Sequence, residues 1–145
     1  MYKHILIPTD GSELSRRAIT DGIALAKALG AKITGLTVVA PATSFGTGEF
    51  GSVTDPSGYD QAMAISANQT LSVVTDLATK AQVSADTIQV NNNEPWRAII
   101  ETAVARGCDL IVMASHGRRG VEGLLLGSET VKVLTHSKIP VLVDR

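Results

Sequence analysis

The sequence predicts an α/β fold, with an open parallel sheet that carries helices on both faces. Short apolar segments rich in β-branched residues alternate with segments whose apolar residues recur every three or four positions, the spacing of a helical face. The strand segments show no polar alternation, which is typical of strands buried on both faces. Alternating strands and helices form right-handed crossovers and therefore parallel strand pairs. The 145 residues are expected to form one domain, residues 1–145.

The first half of the chain predicts two strands with a helix between them. The first strand is predicted at His4–Ile7, an apolar run that ends at Pro8. A helix follows, because apolar residues recur at helical spacing and Gly30 stands where a helix would end. The second strand is predicted at Ile33–Val39, and Ala40–Gly58 is expected to be a long loop because it is rich in Gly, Ser, Thr and Pro. The apolar positions of the first helix are Ile19, Ile23, Ala26 and Leu29.

The rest of the chain continues the alternation. A long helix is predicted at Tyr59–Ala81, and Pro95 is expected to open the next helix because proline is favoured in a first helical turn. The last helix is predicted at Ser128–His136. The remaining strands are predicted at Thr87–Val90, Leu110–Ala114 and Pro140–Val143, which makes five strands. The apolar faces of the second and third helices are expected to contain Ala62, Ile65, Leu71, Val74 and Leu77, and Ile99, Ile100, Ala103 and Val104.

Composition excludes several classes of partner. The net charge of −1 and the aromatic content of 3% argue against a nucleic-acid partner. The single cysteine, Cys108, excludes an internal disulfide and is expected to be an inert buried residue. No apolar run is long enough for a membrane helix, and the N-terminal apolar run stops at Pro8, too early for a signal peptide. We therefore expect a soluble, cytoplasmic domain with no membrane partner.

Common enzyme motifs are missing from the chain. It has no G-x-G-x-x-G after the first strand, no Walker lysine and no G-x-S-x-G elbow. His4, His116 and His136 have no mutual spacing that suggests a metal site. We therefore expect no catalytic residues and no metal held by side chains alone.

The final third of the chain contains a candidate phosphate-binding segment. A glycine, Gly117, follows the fourth strand, and after nine intervening residues the Gly127-Ser128 pair opens the last helix. Backbone N–H groups at a helix start attract phosphate, and the hydroxyls of Ser128 and Thr130 would add donors. The same pattern is equally consistent with Ser128 as a simple helix cap in an ordinary loop. The intervening Arg118 and Arg119 would either screen phosphate charge or remain solvated.

Asp10 is the candidate side chain at the end of the first strand. Its carboxylate is suited to a sugar hydroxyl, an adenine edge or a bound Mg²⁺. The local sequence favours a capping box instead, with Asp10 as N-cap and Glu13 three residues later. Both roles are compatible, because a carboxylate has two oxygens.

These residues resemble the universal stress protein family. The resemblance is carried by Ile5–Ser12, Met113–Gly120, Leu124–Ser128 and the closing Pro140–Val143, and it spans the whole chain. It implies an open five-stranded parallel sheet of Rossmann-like, adenine nucleotide-binding type. The ATP-binding branch of the family carries the motif G-x-x-G-x9-G-S/T, in which Ala114 replaces the first glycine here. Binding should survive if Ala114 has negative φ, and should weaken if the position requires positive φ or no Cβ.

The resemblance implies a set of nucleotide-binding residues. Gly117, Gly127 and Ser128 would bind the triphosphate, with Glu129 and Thr130 in the same helix start. His116 would either bind a phosphate oxygen or anchor the loop. The adenosine contacts would be Pro8, Thr9 and Asp10, with Val38 and Met113 on either side of the base.

The resemblance also implies a function. The leading hypothesis is a stress-response protein that binds ATP together with Mg²⁺ and acts as a nucleotide-dependent switch. It is expected to hydrolyse ATP slowly at most, because no lysine cradle with an arginine finger is evident. Family members commonly form homodimers through the last strand, and an unpaired Val141–Val143 would leave an exposed apolar edge. The alternative is a dimer that no longer binds nucleotide and acts only through protein partners. An adenylating enzyme is disfavoured, since neither H-x-G-H nor S-G-G-x-D-S occurs.

Overall fold

Five parallel strands and four helices make up the described part of the chain. The computed structural model describes residues 1–42, 56–117 and 125–145. The sheet has the order β3-β2-β1-β4-β5, which confirms the predicted open α/β fold of Rossmann-like type. The elements are β1 (His4–Pro8), α1 (Glu13–Leu29), β2 (Lys32–Val39), α2 (Pro56–Ala81), β3 (Ala85–Asn91), α3 (Pro95–Arg106), β4 (Leu110–Ala114), α4 (Ser128–His136) and β5 (Val141–Asp144).

The central strand β1 determines where a ligand can bind. It pairs with β2 on one side and with β4 on the other, so that Ile5 is in register with both Ile33 and Leu110. The chain therefore winds outward from β1 in two directions. In open sheets of this kind, the ligand crevice lies beyond the carboxyl ends of the strands, where the winding reverses. Here that position is the carboxyl end of β1 and β4.

Two apolar clusters cover the two faces of the sheet. Ile5 and Ile7 point to the face that packs against α1 and α2, whereas Leu6 points to the opposite cluster with α3 and α4. Successive side chains of a strand point to opposite faces, and helices cover both faces of this sheet. Ile5, Leu6 and Ile7 are therefore all fully buried. This burial on both sides explains why the strand segments lack polar alternation.

Part of the predicted helix faces is wrong. Ala62 and Ile65 are exposed in α2, with Ile65 at 61%, and Val104 is 65% exposed in α3. A helix turns about 100° per residue, which places Ile65 nearly opposite Ala67. Ala67 is where the buried stripe of α2 begins. That stripe comprises Ala67, Leu71, Val74 and Ala78.

Several predicted boundaries also shift. The helix α2 begins at Pro56, inside the predicted loop Ala40–Gly58, and β3 extends beyond Thr87–Val90 at both ends. The last strand begins after Pro140, not with it. Expectations for residues 43–55 and 118–124, including Arg118 and Arg119, lie outside the described residues. In the part of the chain that is described, no helix is both long and apolar enough to cross a membrane.

Candidate functional site

A cavity of about 210 Å³ opens at the carboxyl ends of the central strands. It is bounded by residues that leave β1, β2 and β4 and by the first turns of α3 and α4. Gly127 and Ser128, the other two predicted site residues, are not among its lining residues. The cavity is lined by ten of the predicted site residues, Pro8, Thr9, Asp10, Val38, Met113, Ala114, His116, Gly117, Glu129 and Thr130, and by Ser15, Leu36, Pro95 and Ile99.

The four additional lining residues were missed for different reasons. Leu36 was detectable, because it lies two residues before Val38 and therefore points to the same side of β2. Ser15 is a buried residue in the first turn of α1, and no sequence pattern distinguishes it from a solvent-facing serine. Pro95 and Ile99 come from α3, whose packing beside the cavity depends on the tertiary structure.

Asp10 is held at the cavity by the turn that precedes α1. Its Oδ1 accepts a hydrogen bond from the Ser12 amide at 2.9 Å, and its Oδ2 faces Gly117 so closely that a Cβ there would overlap it. The predicted capping box is wrong, because Ser12 is the N-cap and its hydroxyl accepts from the Ser15 amide at 3.2 Å. Asp10 is thus displaced two residues from the cap and lies on the cavity wall.

Thr9 is fixed by bonds in three directions. Its amide donates to the Leu36 carbonyl at 2.8 Å, and its carbonyl accepts from the Thr37 hydroxyl at 2.9 Å. Its own hydroxyl is 3.0 Å from the Ser15 hydroxyl, and both side chains are buried. These bonds join β1, β2 and α1 into a rigid wall.

Ala114 adopts ordinary strand geometry. It is the last residue of β4, is in register with Asp144, and has negative φ, since Gln82 is the one non-glycine residue with positive φ in the described chain. Its carbonyl accepts a bond from the buried Thr130 hydroxyl at 3.1 Å. The hydrogen of the Thr130 hydroxyl is thus engaged within the protein, and the expectation that it donates to phosphate stays a prediction.

The start of α4 approaches the end of β4 very closely. The Gly127 amide donates to the Ser115 carbonyl at 2.8 Å, and a Cβ on Gly127 would lie 2.9 Å from the His116 Cβ. Gly127 is the N-cap, without a side-chain bond, so the alternative that Ser128 caps the helix is wrong. The first amides of a helix have no partner within that helix, and here they begin beside the cavity.

Glu129 connects the cavity to the neighbouring helix. Its Oε2 accepts a hydrogen bond from the Trp96 amide at 2.8 Å, in the first turn of α3. The N-cap of α3, Glu94, makes no side-chain capping bond, so a carboxylate from α4 takes that role. The half-buried Trp96 ring also lies 4.7 Å from the His136 ring, at the far end of α4. Sequence reasoning placed Glu129 in the site but missed this contact.

The described cavity lining is negatively charged. Its ionisable side chains are Asp10, His116 and Glu129, and it includes no lysine or arginine. Nowhere in the described residues, the cavity lining included, do three side chains of the His, Cys, Asp and Glu types gather as a metal site would require. Cys108 lies outside the cavity, and burial raises the pKa of its thiol to about 11, as expected of an inert residue.

Several known proteins are similar to this chain in sequence and in architecture. Universal stress protein MJ0531 of Methanocaldococcus jannaschii is 33% identical over 143 residues, which cover 99% of this chain and 82% of that protein. The solved structure of MJ0577, from the same organism, has a TM-score of 0.83 at 28% identity and covers 99% of this chain and 95% of that one. A universal stress protein in complex with cAMP has a TM-score of 0.71 at 27% identity, covering 99% of this chain and 97% of that one.

The family assignment rests on the whole chain. The sequence profile of the Universal stress protein family matches residues 1–145, in agreement with the resemblance carried by the motifs at both ends of the sequence. The chain belongs to the universal stress protein family.

Proposed function

We propose that the cavity binds an adenine nucleotide, ATP with Mg²⁺, and that the protein acts as a nucleotide-dependent switch in the cytoplasm. The observation that carries this proposal is the position of the cavity. An apolar recess lies at the reversal point of the sheet, directly beside the first amides of α4, which have no partner within that helix.

The inner part of the cavity suits a planar base. Leu36, Val38 and Met113 supply an apolar surface, and Asp10 lies at its polar side. The carboxylate of Asp10 is suited to the hydroxyls of a ribose, since carboxylate oxygens accept hydrogen bonds. The related structure in complex with cAMP supports an adenine nucleotide as the ligand class.

The phosphate end fits a nucleotide that carries a divalent cation. The amides at the start of α4 attract a phosphate, but the carboxylates of Asp10 and Glu129 repel it and no lysine or arginine stands among the described lining residues. Mg²⁺ is usually bound through one or two carboxylates together with substrate phosphates, and Asp10 is the candidate carboxylate. The cation would neutralise charge between the carboxylate and the phosphates.

Glu129 is the candidate transmission element of the switch. It lines the cavity and also caps α3 through Trp96, so a ligand that alters its carboxylate alters the first turn of α3. The described lining offers no cationic side chain to stabilise a transferring phosphoryl group. We therefore propose binding with slow hydrolysis at most.

A second candidate function is a partner-binding dimer that no longer uses nucleotide. This second function is favoured by Ala114, which lines the cavity at the position where the ATP-binding motif has glycine. For both candidate functions, we propose a homodimer through β5, an edge strand whose Leu142 is 42% exposed.

The test uses Trp96, the one tryptophan of the chain. We expect its fluorescence to change saturably with MgATP and to remain constant with MgCTP, whose pyrimidine lacks the shape of adenine. The variant Glu129→Ala should bind MgATP but lose most of the fluorescence response. Binding without any fluorescence response in the wild type would contradict the switch. Equal responses to MgATP and MgCTP would contradict adenine recognition.

A further inference from the structure

A chain of polar side chains crosses the sheet at the end opposite to the cavity. His4 begins β1, and its Nε2 lies 2.7 Å from the hydroxyl of Thr34 in β2. The Thr34 hydroxyl lies 2.5 Å from Oδ1 of Asp86 in β3, and the second Asp86 oxygen lies 3.2 Å from the Arg106 guanidinium. His4 is 7% exposed and Thr34 is fully buried. The ionisable ring of His4 is thus buried, and the polar chain that it begins extends across three strands.

The geometry determines where the hydrogens of this chain lie. A hydroxyl has one hydrogen, and Thr34 donates it to the Asp86 carboxylate. The Thr34 oxygen can then only accept from His4, so Nε2 of the imidazole carries a hydrogen. The hydrogen bonds therefore run from His4 through Thr34 to Asp86 and hold the ring in one orientation.

We propose that His4 is a proton-sensing residue that makes the stability of the domain depend on pH in the mildly acidic range. The Thr34–Asp86–Arg106 chain holds the ring in one orientation, and a proton added to it places a charge inside the sheet. Acidification would then be a second input to this protein, located away from the nucleotide cavity and independent of it.

The charged groups around the ring determine the direction of the effect. Burial lowers the pKa of His4 below its usual value of 6.5, and Lys32 at the start of β2 lowers it further. Asp86, Asp109 and a backbone hydrogen bond with Arg106 raise the pKa of His4, but the net shift is downward, and both carboxylates also serve other groups. Asp86 pairs with Arg106, and Asp109 accepts the amides of Lys3 and His4. The neighbouring Cys108 thiol adds no charge, because burial raises its pKa to about 11.

The sign follows from linkage between proton binding and folding. The pKa of His4 in the folded protein lies below that in the unfolded chain, so the unfolded chain binds the proton more readily in the interval between them. Stability therefore falls as the pH decreases from about 6.5 toward the folded pKa, and it does not change through this group above that range.

The experiment compares melting temperatures between pH 5.0 and 8.0 for the wild type, His4→Gln and His136→Gln. His136 is an exposed histidine in the last turn of α4 and serves as the matched control. Between pH 8.0 and pH 5.0, we expect the melting temperatures of the wild type and of His136→Gln to fall by about 3 °C more than that of His4→Gln. A difference of this size is typical of a single interaction in a domain of this length. An equal loss in His4→Gln would overturn the proposal.

A second measurement does not depend on any variant folding. The ring protons of His4 are followed by NMR in the wild-type protein across the same pH range. We expect the His4 ring to titrate below 6.5, the usual value for a histidine. A His4 midpoint at or above 6.5 would overturn the proposal, whatever the melting temperatures show.

Discussion

Asp10 and Gly117 lie against each other across the carboxyl ends of β1 and β4. The Oδ2 of Asp10 occupies the space that a Cβ at position 117 would need, while its Oδ1 is held by the Ser12 amide. The glycine is required here by this close approach and not by backbone angle, since its φ is not positive. The two residues therefore form one unit of the cavity wall.

We expect Gly117→Ala to push the Asp10 carboxylate away and to weaken MgATP binding about tenfold, the effect of losing one charge-assisted contact of about 1.4 kcal/mol. The free energy of unfolding should fall by about 1 kcal/mol, because the overlap is with the end of a side chain. Calorimetric titration and urea denaturation measure the two effects.

A double-mutant cycle isolates the contact. In an Asp10→Ala background, Gly117→Ala should cause almost no further loss of stability, because the overlapping oxygen is gone. Additive losses in the double variant would show that Gly117 is required for another reason.

The substitution Ala114→Gly distinguishes the two candidate functions. Ala114 already has negative φ within β4, so glycine offers no conformational gain there. We expect MgATP affinity to change less than threefold and stability to fall by about 1 kcal/mol, as for glycine in a strand. A large gain in affinity would instead mean that the Ala114 Cβ obstructs the nucleotide, which favours the dimer without nucleotide.

The proposed dimer is tested at the edge strand. We expect Leu142→Glu to convert dimers to monomers, because it places a charge on the β5 edge, where like copies would pair. The matched control is Val104→Glu on α3, at a residue that is even more exposed, 65% against 42%. Sedimentation analysis should show a monomer for the first variant and an unchanged dimer for the second. Monomeric wild type would refute the interface.

Replacing the carboxyl of Asp144 is expected to increase stability in a pH-dependent way. Burial raises the pKa of its carboxyl, the nearby Asp21 raises it further, and its Oδ2 is buried without a hydrogen-bond partner among the described residues. A raised carboxyl pKa means that its contribution to stability is present in acid and is lost as the pH rises through the folded pKa. Asp144→Asn should therefore stabilise the protein by about 1 kcal/mol at pH 7. The advantage should vanish near pH 3 in thermal melts, and a constant advantage would exclude a charge effect.

The fold was predictable because the strands are buried on both faces. The runs that became β1 and β4 are apolar on consecutive residues, and β2 is rich in β-branched residues without polar alternation. Few structures other than a covered parallel sheet bury such runs. The outer face of α2 was not predictable, because Ile65 and Leu71 look alike in sequence and only packing decides which is buried.

The site was predictable as a location but less so as a set of contacts. Asp10 and Gly117 were identified as candidate site residues because each follows the end of a predicted strand. Sequence patterns did not reveal that Thr130 donates to Ala114 or that Glu129 bonds to Trp96. Those contacts join residues that are distant in the chain, and only the packing of α4 against β4 and α3 brings them together.

Isothermal titration of the purified protein with ATP in the presence of Mg²⁺ tests the central claim most directly. We expect a saturable heat of binding that weakens strongly when Mg²⁺ is removed, and a higher melting temperature in the presence of the nucleotide. The absence of heat together with an unchanged melting temperature at millimolar MgATP would contradict nucleotide binding.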